Sequence, residues 1–235
     1  MILRDSGIAY ALFPFKRNQD VVQIHEFEHG DYCIAIADGW NRLDAFPDDK
    51  PGREVAHIVA SEYPKMFLTY GKDASKKLDE RIAKKYPMHA TAVAVFLFHS
   101  RIGDTVVSIG DVETYVWDEN KWYKPREISD HWLDSSKYPS NVSRFFGSIE
   151  RKTDPKYPGV FSVDPDILEL QSATPIIIAT DGIKDVLPLD NINTIVGNPR
   201  GQEPEKIVEK LLKEIQKRKT QKDDISIALR YTGDR

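Results

Sequence analysis

The sequence contains a single cysteine, Cys33, among its 235 residues. One cysteine excludes an intramolecular disulfide framework. Because Cys33 lies within an apolar run, it is expected to be a small residue of the hydrophobic core. A chain without disulfides is expected in a reducing cytoplasm.

Long hydrophobic runs and a surplus of positive charge are also missing. No run of about 18 apolar residues occurs, so a membrane-spanning helix is not expected. The first apolar stretch is short and bracketed by charged residues, which does not fit a signal peptide. The formal net charge of −4 argues against a general nucleic-acid-binding protein. We therefore expect neither a membrane nor a nucleic acid as a partner.

The composition that remains is typical of a globular protein with a sizeable core. Hydrophobic residues make up 40% of the chain and charged residues 30%, which excludes the low-hydrophobicity composition of disordered proteins. Neither an internal repeat nor a linker is visible. We therefore expect residues 1–235 to form one domain.

Two strongly apolar runs each end at an Asp-Gly pair. One reads Thr174-Pro-Ile-Ile-Ile-Ala-Thr-Asp-Gly182, and the other reads Tyr32-Cys-Ile-Ala-Ile-Ala-Asp-Gly39. Continuous apolar runs predict strands that are buried on both faces. A carboxylate at the tip of such a strand is held rigidly, and the glycine beside it permits close approach of a ligand. One Asp-Gly pair is common turn chemistry, but two copies favour an anion or metal site.

The remaining pattern predicts further strands and helices. Strands are expected at residues 8–13, 21–27, 32–37, 91–98, 105–109, 114–117, 176–179 and 225–229. One helix carries Val55, Val59 and Tyr63 on one face, and Pro64 should stop or kink it. A second helix should begin near Asp73, and a late one should follow residue 203. Residues 131–159 lack periodicity and predict a long flap-like loop.

The strand pattern also predicts how the layers are arranged. The first three strands are closely spaced and predict a meander in which neighbouring strands pair antiparallel. Several strands are nevertheless apolar on both faces. Each sheet must then be covered by another sheet on one side and by amphipathic helices on the other. The expected fold is α+β: a four-layer helix–sheet–sheet–helix sandwich with two central antiparallel sheets.

Acidic residues recur where the predicted strands begin or end. They are Asp20, Asp38, Asp111, Asp181 and Asp223. Any one of them alone fits a solvated strand end. If all five met at one end of the sandwich, their charges would repel one another unless cations neutralised them. Carboxylate oxygens favour Mg²⁺ or Mn²⁺ over zinc.

An ordered series of short motifs resembles the type 2C, metal-dependent family of serine/threonine protein phosphatases. The series covers about residues 7–231. Its members are Arg17-Asn-Gln-Asp20, Ile36-Ala-Asp-Gly39, His89-Ala-Thr-Ala-Val93, Ser108-Ile-Gly-Asp111, Ile128-Ser-Asp-His131, Ser143-Arg-Phe-Phe-Gly147, Ala179-Thr-Asp-Gly-Ile-Lys-Asp185 and Lys222-Asp-Asp-Ile-Ser226.

The resemblance implies a set of site residues. Asp38 and Asp181 would be the catalytic aspartates, with Asp38 bridging two Mg²⁺ or Mn²⁺ ions. Asp181 and Asp223 would complete the first ion's ligands. The Gly39 carbonyl and, through water, Asp20 would serve the second ion. Asp111 with Asp181 resembles the ligand pair of a third ion. A water between the two main ions would attack phosphorus without a covalent intermediate.

Several positions depart from the family pattern. Gln19 stands where a glutamate is usual, and Phe15 stands where the family has its phosphate-binding arginine. Arg17 and Lys16 are then the nearest groups for the substrate phosphate, and Arg17 suits it better because its planar fork binds two oxygens. His89 and His131 could protonate a leaving group, but local structural roles are favoured.

The resemblance implies a phosphorylated protein as substrate and a serine/threonine kinase as a further partner, and we expect a monomer. Two other functions stay open. One is a pseudophosphatase that binds phosphoproteins without turnover, which Gln19 and the displaced phosphate-binding arginine motivate. The other is an aspartyl-nucleophile phosphatase of the haloacid dehalogenase kind, which Asp164-Pro-Asp166 suggests. The Ile and Leu that follow Asp166 do not fit the second family, which has Gly-Thr there.

Overall fold

Ten strands and five helices make up the described part of the chain. The computed structural model describes residues 7–14, 19–41, 50–86, 90–128, 144–147, 162–171, 174–218 and 223–231. The strands are β1 Ile8–Phe13, β2 Val21–Glu26, β3 Tyr32–Asn41, β4 Ala90–Ser100, β5 Gly103–Ile109, β6 Glu113–Trp117, β7 Trp122–Tyr123, β8 Asp166–Leu170, β9 Ile176–Ala179 and β10 Ile225–Arg230. The helices are α1 Lys50–Tyr70, α2 Asp73–Lys85, α3 Gly182–Val186, α4 Leu189–Val196 and α5 Pro204–Arg218.

The strands form two antiparallel sheets of five. The first sheet has the order β1-β10-β9-β6-β7, and the second has the order β2-β3-β4-β5-β8. Every pairing between these strands is antiparallel. The prediction of two antiparallel sheets is therefore confirmed.

Three hydrophobic clusters fill the spaces between four layers. One cluster joins α1 and α2 to the second sheet, another joins α3, α4 and α5 to the first sheet, and the third lies between the sheets. Strand β3 shows why its run is apolar throughout. Cys33 and Ala35 face the helices, whereas Ile34 and Ile36 face the other sheet. The predicted helix–sheet–sheet–helix class is confirmed.

Several local predictions were wrong. Strand β1 pairs with β10 and not with its neighbour β2. Helix α1 continues through Pro64 to Tyr70, because the buried face of the helix outweighs the one hydrogen bond that proline removes. Strand β3 does not end before Asp38, because β4 supplies partners for Asp38 and Gly39. Strands β7 and β8 and helices α3 and α4 were not predicted.

Most of the predicted flap at 131–159 lies outside the described residues. Within it, residues 144–147 are described, and they form bridges from Phe146 to Ala92 and from Arg144 to Ser162. In the described part of the chain, no helix combines the length and the apolar character needed to cross a membrane.

A buried ion pair lies between the sheets at the end of β10. Arg230 and Asp104 are both fully buried, with 2.8 Å between Nη1 of Arg230 and Oδ2 of Asp104. Nδ1 of His99 lies 2.6 Å from the other carboxylate oxygen of Asp104. Burial raises the pKa of Asp104, while Arg230 and His99 oppose that rise. The pair therefore keeps two charges inside the sandwich by neutralising them there.

We expect Asp104→Asn to lower the free energy of unfolding by about 3–5 kcal/mol, because Arg230 would stay buried without its counter-charge. Urea denaturation followed by tryptophan fluorescence measures the change.

Glu119→Gln is a matched control, since Glu119 pairs with Arg200 on the surface at 3.4 Å and such pairs contribute little. The double variant Asp104→Leu with Arg230→Met should recover most of the loss, because it removes both charges together. Equal losses for Asp104→Asn and Glu119→Gln would contradict the prediction.

Candidate functional site

In the second sheet, the chain topology brings Asp20 beside Asp38. Val21 at the start of β2 lies opposite Ala37 in β3, so Asp20 enters the sheet next to Asp38. Asp38 shares a face of β3 with Ile34 and Ile36, and that face is directed at the other sheet. Its carboxylate is therefore at the interface between the sheets.

The first sheet supplies three more acidic residues at one edge. The end of β9 lies beside the start of β10 and beside the start of β6, because neighbouring strands are antiparallel. Asp181 follows β9, Asp223 precedes β10 and Asp111 precedes β6. All three acidic residues consequently lie at the same end of that sheet.

The five carboxylates act on one another electrostatically. The pKa of Asp38 is raised well above its usual value by burial and then by Asp20, Asp181, Asp223 and Asp111. Burial also raises the pKa of Asp20 to about 7. For Asp181, burial and the charge of Asp111 raise the pKa to about 7. The structure thus brings together the five aspartates that the sequence singled out.

Hydrogen bonds tie this acidic end to both sheets. Thr180 donates from its hydroxyl to Oδ2 of Asp20 at 2.9 Å, and the Ser226 N–H donates to the same hydroxyl oxygen at 2.9 Å. The Gln19 N–H donates to Oδ2 of Asp224 at 2.8 Å. These bonds join β9 and β10 of one sheet to the segment before β2 of the other.

Thr180, Ser226 and Asp224 were missed as site residues by the sequence analysis. A weak signal was present, because Ser226 interrupts an apolar strand and Thr180 stands between a buried strand and Asp181. Asp224 is buried while Asp223, the predicted ligand, is exposed. Gln19 contributes its backbone N–H to this arrangement through the hydrogen bond to Asp224.

The two Asp-Gly glycines are required by the packing of the backbone. A Cβ added to Gly39 would overlap the carbonyl of Gly52 in α1. A Cβ added to Gly182 would overlap the carbonyl of Asp224. From the sequence, these glycines were predicted to permit close approach of a ligand, whereas the structure shows another segment of the chain against each of them.

A lysine lies beside the acidic cluster. Nζ of Lys184 is 3.8 Å from Oδ2 of Asp181 and 3.8 Å from Oε1 of the buried Glu113. Lys124 donates to both carboxylate oxygens of Glu113, at 3.2 and 3.1 Å. The positive charge of Lys184 partly offsets the rise in the pKa of Asp181. Neither lysine was predicted at the site.

The donor chemistry of the acidic end fits a hard divalent cation. Its carboxylate oxygens are ligands that Mg²⁺ and Mn²⁺ prefer. Burial and neighbouring carboxylates raise the pKa of Asp38, Asp20 and Asp181, so the ionised forms are unfavourable there unless a cation compensates them. Across the described residues, however, no three acidic, histidine or cysteine side chains already form a group that could hold a metal ion. The described carboxylates therefore lie at the same end of the sandwich, but no three of them surround a common point.

Other predicted residues lie elsewhere or outside the described residues. Lys16, Arg17, His89 and His131 are in the part of the chain that the structure does not describe. Asp164 and Asp166 are the two residues that the aspartyl-nucleophile hypothesis requires. Asp164 is exposed and lies 3.6 Å from Lys76. Asp166 begins the edge strand β8 and accepts from Arg144 at 2.7 Å. This pair therefore does not join the five aspartates.

Comparisons with known proteins agree with this geometry. The family model described as "Protein phosphatase 2C" matches residues 129–224. No curated protein matches the sequence. The resemblance to type 2C protein phosphatases is confirmed by this match together with the shared fold.

The fold is shared with solved bacterial phosphatases at low identity. Stp1 from Staphylococcus aureus superposes with a TM-score of 0.73 at 13% identity, covering 100% of this chain and 98% of that one. The S. agalactiae serine/threonine phosphatase gives 0.70 at 14%, with coverages of 96% and 99%. The catalytic domain of PstP, solved with two manganese ions, gives 0.70 at 14%, with coverages of 97% and 98%.

The raised pKa of Asp20 predicts a pH-dependent stability of the metal-free protein. Its pKa is about 7 in the folded state against 3.8 ordinarily, so the folded state holds an extra proton between these values. Stability from this group is therefore present at low pH and is lost as the pH rises toward 7. In the presence of chelator, the free energy of unfolding of Asp20→Asn relative to the parent protein should rise by roughly 2 kcal/mol between pH 5 and pH 7.

Urea denaturation at both pH values measures this difference, because carboxylates away from the acidic end cancel between variant and parent. The measured difference also contains the change at Asp38 and Asp181, whose pKa values the charge of Asp20 raises. Asp190→Asn is the control, since Asp190 is exposed on α4, and its difference from the parent should not vary with pH. A constant difference for Asp20→Asn would show that burial does not hold a proton on this group.

Proposed function

We propose that this protein is a phosphatase that depends on Mg²⁺ or Mn²⁺ and hydrolyses phosphoserine and phosphothreonine. The observation that carries the proposal is the location of five carboxylates from both sheets at one end of the sandwich, where the other four act on Asp38. The match to the type 2C family model and the fold shared with bacterial serine/threonine phosphatases support it.

The proposed metal ligands are the residues of the acidic end. Asp38 and Asp181 would be the catalytic aspartates. The remaining ligands would be Asp20, Asp111, Asp223 and the Gly39 carbonyl. Two ions, with Asp111 and Asp181 available for a third, would supply a nucleophile from water and neutralise charge on the phosphoryl group. The two manganese ions in the PstP structure support this choice of metal.

The chain's own residues would keep the acidic end in order. Thr180 holds the Asp20 carboxylate by a hydrogen bond of 2.9 Å, so that this group keeps its orientation before a substrate arrives. Lys184 places a positive charge 3.8 Å from Asp181 and limits repulsion there. Arg17 and Lys16 remain our proposal for binding the phosphate oxygens.

The substrate would be a phosphorylated protein, and the kinase that phosphorylates it would be a further partner. We also propose that the chain works as one domain, which the near-complete coverage of the solved phosphatases supports. We propose a location in the cytoplasm, in keeping with the buried free Cys33. We also propose that the protein is a monomer.

A phosphoprotein-binding module without turnover is the alternative. It is favoured by Gln19, which cannot supply the charge of a glutamate, and by Phe15, which stands where the family has its phosphate-binding arginine. Isothermal titration with Mn²⁺ separates the two functions, because the phosphatase requires at least two bound ions per chain.

We expect Mn²⁺-dependent hydrolysis of p-nitrophenyl phosphate that is abolished by chelator. Asp38→Asn and Asp181→Asn should each lower turnover about 100-fold or more, because each removes a charged metal ligand. Urea denaturation of the variants checks that the fold is retained.

Asp164→Asn is the matched control, since Asp164 is exposed and lies in the pair that the aspartyl-nucleophile hypothesis would need. Its turnover should equal that of the parent protein. Full activity in Asp38→Asn would refute the assignment, and loss of activity only in Asp164→Asn would favour the aspartyl nucleophile.

A further inference from the structure

A cleft of about 640 Å³ opens beside the acidic end, between β2 and the facing surfaces of α1 and α2. Asp20 lies at its wall together with Lys50, Arg53, His57, Lys85 and Tyr86. Val21 and Ile58 add apolar surface. The cleft is large enough to hold several side chains of a bound peptide.

The cleft is continuous with the proposed phosphatase site. Asp20, one of the five clustered aspartates, lines both. The carbonyl of Gly52 is packed against Gly39, and Arg53 follows Gly52 in the first turns of α1. A peptide with its phosphorylated residue at the acidic end would therefore place neighbouring residues along this cleft.

The walls of the cleft carry unpaired positive charge. Lys50 and Arg53 are exposed, and neither forms an ion pair with any residue that the structure describes. Nζ of Lys85 lies 4.9 Å from the centre of the Tyr86 ring.

The opposing groups do not cancel this charge. Glu54 accepts a hydrogen bond from the Tyr86 hydroxyl, and His57 is bonded to Gln23 at 3.1 Å. Tyr86 and Glu54 also raise the pKa of Lys85, so that lysine already has a counter-charge. Lys50 and Arg53 are therefore the two cations of the described lining without an ion pair, and Asp20 lines the same cleft.

We propose that this cleft binds the residues that flank the phosphorylated serine or threonine and selects substrates with acidic side chains there. This inference rests on the proposed function. Carboxylates are the complementary group, because an arginine fork binds two carboxylate oxygens at once and a lysine adds a point charge. An exposed site of this kind acts on specificity and on the rate of encounter.

Three phosphoserine peptides that differ only in the flanking residues test the proposal. The flanks are glutamate, alanine or lysine, and the full chain is assayed with Mn²⁺. The glutamate peptide should show a kcat/KM about tenfold above that of the alanine peptide, and the lysine peptide should fall below it. The preference should shrink as the salt concentration rises.

Arg53→Glu should reverse this order, so that the lysine peptide becomes preferred over the glutamate peptide. Arg101→Glu is the matched control, because Arg101 is exposed in the turn between β4 and β5, at the other end of these strands from Asp38. It should keep the parent preference. Equal kcat/KM values for the three peptides in the parent protein would overturn the proposal, and so would a uniform loss on all three in Arg53→Glu.

Hydrolysis of p-nitrophenyl phosphate, which has no flanking residues, tests the proposed function separately. If the protein hydrolyses neither this compound nor any peptide, the phosphatase assignment fails. The cleft is then tested by fluorescence anisotropy with the same labelled peptides. Preferential binding of the glutamate peptide that Arg53→Glu reverses would support the cleft, and indifference to the flanking residues would overturn it.

Discussion

Mutual repulsion among carboxylates at one end of the sandwich is the constraint on which the remaining structure depends. Burial and neighbouring negative charge both raise the pKa of Asp38. Like charges in a poorly solvated region are unfavourable unless protons or cations neutralise them. The fold therefore has to supply enough apolar burial elsewhere to hold these groups together, and three hydrophobic clusters between four layers do so.

At the opposite end of β5 and β10, buried charge is neutralised within the protein. There Asp104 has a permanent partner in Arg230 at 2.8 Å, so its charge is matched within the chain. At the acidic end, Lys184 lies 3.8 Å from Asp181, and within the described part of the chain this one lysine carries less charge than the five carboxylates. The buried charge of Asp104 is thus matched inside the protein, whereas the charge at the acidic end is matched only in part by the described residues.

The layered fold could be read from the sequence because its evidence is local. Continuous apolar strands and short connections require two covered antiparallel sheets. The extension of β3 past Asp38 could not be read, since it depends on partners in β4. The acidic cluster was predicted from strand ends, but the roles of Thr180 and Lys184 depend on distances across the fold. The cleft around Arg53 likewise joins segments that are far apart in the chain.

The contact between Gly39 and the Gly52 carbonyl affects how this molecule can vary over evolution. Any side chain at Gly39 would push α1 away from β3, so selection for a folded protein alone would retain glycine there. The same holds for Gly182 against Asp224. These glycines would stay conserved even in a lineage that had lost catalytic activity. Their conservation would therefore be weak evidence that the active site is functional.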